Sequence, residues 1–332
     1  MARTDDPAPA DAPPVSPTPP PAKRHSPRED IDAFVEDARH QFDQANEAIN
    51  RRVGRNLLAA IGIGLVLGGI FLVSLIVLKW LFMIVAAVLI GLTVFELASA
   101  LRYAGRDVPR VASTVVGVAV VPAAFFLHVE GLWLALLGAV VLITLWRLGE
   151  QLRPSHRTGL RALAGDIGAG ALVQTYVTFL AGLYVVLVGM PGGEWWTLAS
   201  VIVVVTTDIG AYASGLAFGR HKLAPTISPG KTWEGFAGSV VAAVVAGILL
   251  AIFMLGQPWW VGVIMGVLLA LVGTMGDLTE SLIKRDLGVK DISTWLPGHG
   301  GFLDRLDSIL PSAAVAYATY LIVTGTGVSG IG

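Results

Sequence analysis

The feature that most constrains the fold is a series of apolar runs, each about as long as a membrane is thick. They begin after Arg55 and leave only short polar connections between them. A bilayer core of about 30 Å is crossed by roughly 20 apolar residues in an α-helix. We therefore predict an all-α, polytopic integral membrane protein with about nine transmembrane helices. The runs are residues 57–78, 80–101, 110–127, 131–147, 168–189, 195–217, 236–256, 259–282 and 308–326.

The composition excludes several other classes of protein. Only 14% of the residues are charged, whereas soluble domains carry about 25%. This excludes a soluble enzyme, a disordered protein and a nucleic-acid-binding domain. The chain has no cysteine, which excludes disulfides, zinc thiolate sites, iron–sulfur clusters and cysteine nucleophiles.

The basic residues predict the orientation of the chain. With the N-terminus in the cytoplasm and nine spans, every one of the 23 lysines and arginines except Lys79 falls on a cytoplasmic segment. This is the distribution that the positive-inside rule describes. Trp195, Trp196, Trp259 and Trp260 then lie at the outer ends of helices, where aromatic residues are expected.

The chain is predicted to have four regions. Residues 1–27 are rich in proline, alanine and aspartate and are predicted to form a disordered tail. Residues 28–55 repeat apolar side chains at three- and four-residue steps, which indicates an amphipathic cytoplasmic helix. Residues 56–194 hold the N-terminal transmembrane helices, and residues 195–332 form a C-terminal transmembrane catalytic region.

Charged residues are concentrated in residues 276–308, GDLTESLIKRDLGVKDISTWLPGHGGFLDRLDS. By helical spacing, one face carries Asp277, Glu280, Ser281 and Lys284. Asp304 and Asp307 share another face at the start of the last span. Two acidic faces joined by a glycine-rich hinge can converge on magnesium, which prefers one or two carboxylates together with substrate phosphates. This pattern predicts a metal–polyphosphate site.

Basic residues and glycines in the same region are suited to binding phosphate oxygens. They are Lys231, Lys284, Arg285, Lys290, Arg305, Gly298, Gly300 and Gly301. Lys231 lies in SPGKTWEG, a Gly/Pro loop that resembles the end of a P-loop, but Pro225 stands where the first glycine of that motif would be. His299 either orients a phosphate, acts as an acid, or is a loop histidine packed among glycines.

Asp208 lies inside an otherwise apolar span. A carboxylate in a membrane helix costs a few kcal/mol unless it faces a partner, water or a metal. Asp208 is therefore either part of the site or a residue that reaches water at the cytoplasmic end of its helix.

Residues 281–307, SLIKRDLGVKDISTWLPGHGGFLDRLD, resemble the signature of the phosphatidate cytidylyltransferases, also called CDP-diacylglycerol synthases. The Ser, Lys-Arg, Lys-Asp, Pro, His-Gly-Gly and Asp-Arg-x-Asp elements are all present at the spacing of that signature. The GDLTES and SPGKTWEG blocks and Asp208 are also similar to the family. Gly230 departs from it, because a second lysine is expected beside Lys231.

The resemblance implies that CTP and phosphatidic acid react to give CDP-diacylglycerol and pyrophosphate with Mg²⁺, and a second ion, divalent or K⁺, is left open. It also implies a homodimer in the bacterial inner membrane, with an active site that faces the cytoplasm and opens sideways to membrane lipid. No nucleic acid is expected as a partner.

The residues and the resemblance together predict the roles within the site. The predicted catalytic residues are Asp277, Asp304, Lys284, Arg305, His299 and Asp307. Of these, Asp277 and Asp304 are the predicted metal ligands, and Asp208, Glu280 and Asp307 are second choices. Predicted substrate contacts are Lys231, Glu234, Asp208, Ser281, Arg285, Lys290, Asp291, Gly300 and Gly301.

Two other functions stay open on the residues alone. A lipid or polyprenol kinase would use similar carboxylates with a different nucleotide. A transporter would use Asp208 as an ion or proton site, but it should place polar groups near the middle of several helices. Here the polar groups crowd one membrane face, which favours an enzyme.

Overall fold

The computed structural model describes residues 57–289, 292–293 and 301–325. The predicted tail 1–27 and the predicted amphipathic helix 28–55 lie outside the described residues. The contacts divide the chain after Leu57, and the description below concerns the second unit, Leu58–Gly332.

Helices make up nearly all of the described residues. The first three are α1 (Leu57–Ile76), α2 (Lys79–Tyr103) and α3 (Arg110–Glu150). They are followed by α4 (Leu160–Val173), a π-helical segment (Gln174–Phe179), α5 (Leu180–Gly189) and α6 (Gly193–Phe218). A hairpin of β1 (Lys222–Ala224) and β2 (Ser228–Thr232) then leads to α7 (Trp233–Phe253), α8 (Trp259–Asp286), α9 (Leu303–Leu306) and α10 (Ile309–Thr324).

Seven helical stretches of the described residues are long and apolar enough to cross a membrane. They are Lys79–Tyr103, Arg110–Glu150, Leu160–Gly189, Gly193–Phe218, Trp233–Phe253, Trp259–Asp286 and Leu303–Thr324. The prediction of an all-α, multi-pass membrane protein is therefore confirmed. The number of spans and the side of the N-terminus stay predictions.

Helix α3 contains a reversal of the chain at His128. This residue has φ 52° and ψ −140°, which interrupts the 41-residue helix. The contacts with the Leu160–Gly189 stretch include Gly117 with Thr178 and Phe125 with Gly189 before His128, and Leu132 with Gly182 and Ile143 with Gly170 after it. The order of these contacts rises before His128 and falls after it, so the two halves run in opposite directions. They correspond to the separate runs 110–127 and 131–147 of the sequence.

Small residues allow α6, α7 and α8 to pack closely. A side chain at Gly247 would overlap the backbone of Gly262, and one at Gly266 would meet the backbone of Ala243. Close approach of backbones at glycine and alanine is typical of membrane helix pairs. This packing holds α6 with Asp208 and α8 with Asp277 around α7, which begins just after the strand that carries Lys231.

The SPGKT segment is a strand rather than the Gly/Pro loop that the sequence suggested. It forms β2, which pairs antiparallel with β1. The hairpin ends where Thr232 caps α7 by accepting a hydrogen bond from the backbone N–H of Gly235 at 3.1 Å. The side chain of Lys231 is thereby carried on a short, paired strand at the start of α7.

Candidate active site

The end of α8 is held directly against the start of the last membrane-spanning stretch. Gly276 has no room for a side chain, because a Cβ there would lie 2.6 Å from Cγ of Pro311 and closer still to the carbonyl oxygen of Asp307. This contact places Asp277 beside Asp307, although 30 residues separate them along the chain.

The first charged group of the site contains Lys231 and three aspartates. The ammonium of Lys231 donates to Oδ2 of Asp277. Asp307 interacts electrostatically with both Asp277 and Asp208, and its Oδ1 accepts the backbone N–H of Ser308 at 2.7 Å. One lysine thus lies among three carboxylates from α6, α8 and the 303–324 stretch.

A cavity of about 490 Å³ opens beside this group. Asp208, Lys231 and Asp277 form part of its lining, together with Tyr212 and Leu216 of α6. The last two side chains are exposed on the outside of the helices, by 74% and 76%. The cavity therefore joins a charged centre to a surface that a lipid tail would favour.

The second charged group is centred on Lys284. Its Nζ lies 2.6 Å from Oε2 of Glu280 and 3.1 Å from Oδ1 of Asp304. The backbone N–H of Gly301 donates to Oδ2 of Asp304 at 2.7 Å. One pair of the predicted helix face of α8 is confirmed here, since Glu280 and Lys284 are four residues apart and in contact.

Two buried polar atoms of the site have no hydrogen-bond partner among the described residues. They are Oε1 of Glu280 and the hydroxyl of Tyr176. Tyr176 lies in the π-helical segment and interacts electrostatically with Asp277, Glu280 and Asp307. Sequence analysis missed Tyr176 because a tyrosine within an apolar run is usually a core residue. Unsatisfied buried polar atoms are uncommon and call for a ligand, an ion or water.

Other predicted residues occupy less central positions. The carboxylate of Glu234 accepts the backbone N–H groups of Arg220 and His221 and lies 2.6 Å from Nδ1 of His221. It closes the hairpin onto α7, and its predicted contact with substrate stays a prediction. Arg285 donates from Nε to the carbonyl of Ile227 at 3.4 Å.

The remaining predicted residues divide into described and undescribed positions. Arg305 is exposed on α9, and Ser281 is half-buried on α8. Gly301 is buried, with its N–H directed at Asp304. Outside the described residues lie Lys290, Asp291, Gly298, His299 and Gly300.

The two predicted metal ligands belong to different groups, Asp277 with Lys231 and Asp304 with Lys284. Within the described residues, three other side chains bring their ligand atoms within 4.8 Å of one another, namely Asp107, Glu150 and His156. That arrangement is compatible with a divalent metal. However, an Arg147 nitrogen lies 3.5 Å from Oδ2 of Asp107 and competes electrostatically with a cation there.

Asp107 belongs to a network around the buried Arg147 side chain. Arg147 donates to Oδ2 of Asp166 from Nε at 3.1 Å and from a terminal nitrogen at 2.8 Å. Burial acts to raise the pKa of Asp107, but its hydrogen bond with His156 and the charges of Arg147 and Arg102 outweigh burial, so that the pKa is lowered. The network joins the connection before α3 to α4.

The fold and the site define a class of protein, an integral membrane enzyme with carboxylates and lysines gathered at one end of its helices. Comparison with known proteins gives the family. The model of the cytidylyltransferase family matches residues 58–323. The chain therefore belongs to the cytidylyltransferase family, as the resemblance of residues 281–307 predicted.

Relatives of the chain carry a common name. The phosphatidate cytidylyltransferase of Mycobacterium bovis is 38% identical over 273 residues, which are 80% of this chain and 89% of that protein. The phosphatidate cytidylyltransferase of Mycobacterium leprae is 38% identical over 274 residues, 80% of this chain and 88% of that protein. That of Brucella suis is 47% identical over 115 residues, 35% of this chain and 43% of that protein.

Proposed function

We propose that this chain is a phosphatidate cytidylyltransferase, which transfers CMP from CTP to phosphatidic acid and releases pyrophosphate. Family membership supports the reaction. The observation that carries it in the structure is the pair of lysine–carboxylate groups beside a cavity that opens onto an apolar helix surface. One substrate is a soluble polyphosphate and the other is a lipid phosphate, and such a site suits both.

The chemistry requires little covalent work from the protein. A phosphate oxygen of phosphatidic acid forms a bond to the α-phosphorus of CTP. The bond from that phosphorus to the oxygen bridging to the β-phosphate breaks, and pyrophosphate leaves with the electron pair. Phosphatidate is already an anionic nucleophile, so no strong general base is required. Positioning and charge neutralisation therefore provide most of the catalysis.

The two lysines are assigned to different phosphates. Lys231 lines the cavity beside the apolar surface, and we assign it to the lipid phosphate. Lys284 is assigned to the triphosphate, since it lies on the face of α8 that meets the signature segment. Arg285 and Arg305 are exposed at the same end and are suited to the β- and γ-phosphates or the departing pyrophosphate.

The donor set of the site fits magnesium. Asp277 and Asp304 are the proposed ligands, with Asp208, Glu280 and Asp307 as further oxygen donors, and Oε1 of Glu280 is buried without a partner among the described residues. A divalent cation there would neutralise charge on the transferred phosphate group. Lys231 and Lys284 pair with these carboxylates, and beside such a cation their ammonium groups would be suited to binding phosphate oxygens.

The setting of the enzyme is also a proposal. The bacterial relatives and the apolar helices support the bacterial inner membrane. The one-sided distribution of basic residues supports an active site that faces the cytoplasm. A homodimer rests on the resemblance to the family.

The test uses protein purified in detergent with Mg²⁺ and phosphatidic acid. CTP, dCTP, ATP and GTP are supplied separately, and pyrophosphate release and lipid product are measured. Asp304→Asn is compared with Asp286→Asn, an exposed aspartate of the same region, as the matched control. We expect CTP- and lipid-dependent release that Asp304→Asn loses and Asp286→Asn keeps.

Each alternative function has its own result in this assay. Formation of ADP from ATP without pyrophosphate would identify a lipid kinase instead. If folded protein turned over none of the nucleotides, the proposed enzymatic function would be refuted and a transporter would be favoured.

A further inference from the structure

Glu96 is a buried carboxylate inside a membrane-spanning helix. It lies on α2, in the stretch LTVFELAS, and is only 1% exposed. A carboxylate at such a place is costly unless it has partners. Its partners therefore indicate why the chain carries it.

All of the described partners of Glu96 lie in the segment between α8 and α10. Its Oε2 accepts the backbone N–H groups of Phe302 at 2.8 Å and Leu303 at 3.0 Å. Its Oε1 accepts the hydroxyl of Ser293 at 2.5 Å. Glu96 thus joins α2 to two places within the signature segment 281–307, about 200 residues further along the chain.

The contact also explains one glycine of the signature. A Cβ at position 301 would overlap the carboxylate of Glu96. Gly301 in turn donates its N–H to Oδ2 of Asp304 at 2.7 Å. The three consecutive N–H groups of residues 301–303 are therefore all bound by two carboxylates, that of Glu96 and that of Asp304.

We propose that Glu96 is a positioning residue for Asp304, because it fixes the backbone to which the Asp304 carboxylate is hydrogen-bonded. Hydrogen bonds from neutral N–H groups to a carboxylate are charge-assisted and short. Held in this way, Asp304 presents its other oxygen, Oδ1, to Lys284 at 3.1 Å. This inference rests on the role proposed above for Asp304.

A purely structural role makes a different prediction. If Glu96 only stabilised the fold, its replacement would lower the amount or the thermal stability of folded protein. The folded molecules would then keep the wild-type kcat and the wild-type dependence on Mg²⁺. A positioning role changes both of these properties in molecules that are fully folded.

The experiment compares Glu96→Gln with Thr93→Val in the full-length protein in detergent. Thr93 is a matched control because it is equally buried one turn earlier on α2, where its hydroxyl donates to the carbonyl of Leu89 within the helix. Folded protein is quantified by gel filtration and thermal unfolding. Then kcat, the KM values for CTP and for phosphatidate, and the Mg²⁺ concentration for half-maximal rate are measured.

We expect Glu96→Gln to lower kcat or raise the Mg²⁺ requirement by about 10–100-fold, as loss of an outer hydrogen-bond partner of a metal ligand does. KM for phosphatidate should change by less than about threefold, because the altered interaction is not part of ground-state lipid binding. Thr93→Val should keep the wild-type values. Wild-type kcat and Mg²⁺ dependence in folded Glu96→Gln, or an equal loss in Thr93→Val, would overturn the proposal.

Two further variants keep the result decisive. Ser293→Ala removes one bond of Glu96 and leaves its charge, so a smaller loss of the same kind is expected, and wild-type behaviour in both variants would refute the proposal. Should Glu96→Gln fail to fold, Ser293→Ala alone decides. Asp304→Asn is assayed in parallel, because an active Asp304→Asn would refute the role of Asp304 itself rather than the role of Glu96 alone.

Discussion

Replacing Gly276 by alanine should disable the enzyme by moving two carboxylates apart. The new Cβ would lie 2.6 Å from Cγ of Pro311, whereas carbon atoms in contact are about 3.5 Å apart or more. The helices must therefore separate by roughly 1 Å at this point, and Asp277 moves away from Asp307 by a similar amount. A misplacement of about 1 Å at a catalytic site costs about 100-fold in rate.

Stability should change much less than activity in this variant. Alanine gains about 1 kcal/mol over glycine in a helix, and overpacking costs about 1–3 kcal/mol. The net loss in the free energy of unfolding is therefore about 2 kcal/mol or less, and the protein should still be purified folded.

Gly273→Ala is the control for this prediction. Gly273 lies one turn earlier on α8, and the nearest atom that its Cβ would meet is Cβ of Ser308 at 3.8 Å, an ordinary contact. The assay is CTP-dependent release of pyrophosphate per folded molecule. Misplacement of the carboxylates predicts that the rate of Gly276→Ala is about 100-fold below that of Gly273→Ala. If the two rates agree within about threefold, the spacing of α8 and α10 does not determine the geometry of the site.

Three other predictions concern single side chains. Tyr176→Phe removes a buried hydroxyl that lacks a partner among the described residues. Thermal stability should therefore stay equal or rise, while kcat falls by about tenfold. An unchanged kcat would exclude Tyr176 from the site. Lys231→Ala should raise KM for phosphatidate by about tenfold or more. Lys222→Ala, at the exposed end of the same hairpin, should leave this KM unchanged. Equal effects of the two variants would contradict the assignment of Lys231 to the lipid phosphate. The lowered pKa of Asp107 means that its contribution to stability is present above its unfolded value, about 3.9, and is lost as the pH falls through the lower folded value. Asp107→Asn should therefore be less stable at neutral pH and should lose less stability on acidification. The measurement is thermal unfolding between pH 3 and 7, and a pH dependence equal to that of the wild type would show that the interactions of Asp107 with His156 and Arg147 contribute nothing.

Several features of the site could be predicted from local sequence. The spacing of Glu280 and Lys284 predicts their contact, because a helix places residues four apart on one face. The catalytic region was predicted within residues 195–332, and the paired groups around Lys231 and Lys284 lie there. The structure pairs Asp277 and Asp304 each with its own lysine, and their role as metal ligands stays a prediction.

Other features depend on contacts between distant parts of the chain. Glu96 and Tyr176 come from the N-terminal helices, and neither stands in a recognisable motif. Glu96 meets the site because α2 packs against the segment that follows α8. Tyr176 meets it because the π-helical segment lies near α8 and Asp307. Local patterns report periodicity along one helix and not the choice of its neighbours.

The sequence by itself determined the class of structure, since long apolar runs with few charges can satisfy their backbone hydrogen bonds in a bilayer only as helices. It also determined the family, because the signature lies in one continuous segment. Only the tertiary structure decided which charges face one another. The structure pairs Asp277 with Lys231 and Asp304 with Lys284, and it brings Glu96 against Gly301. Such contacts depend on how closely two distant elements approach, and the pattern along one element does not show what lies opposite it.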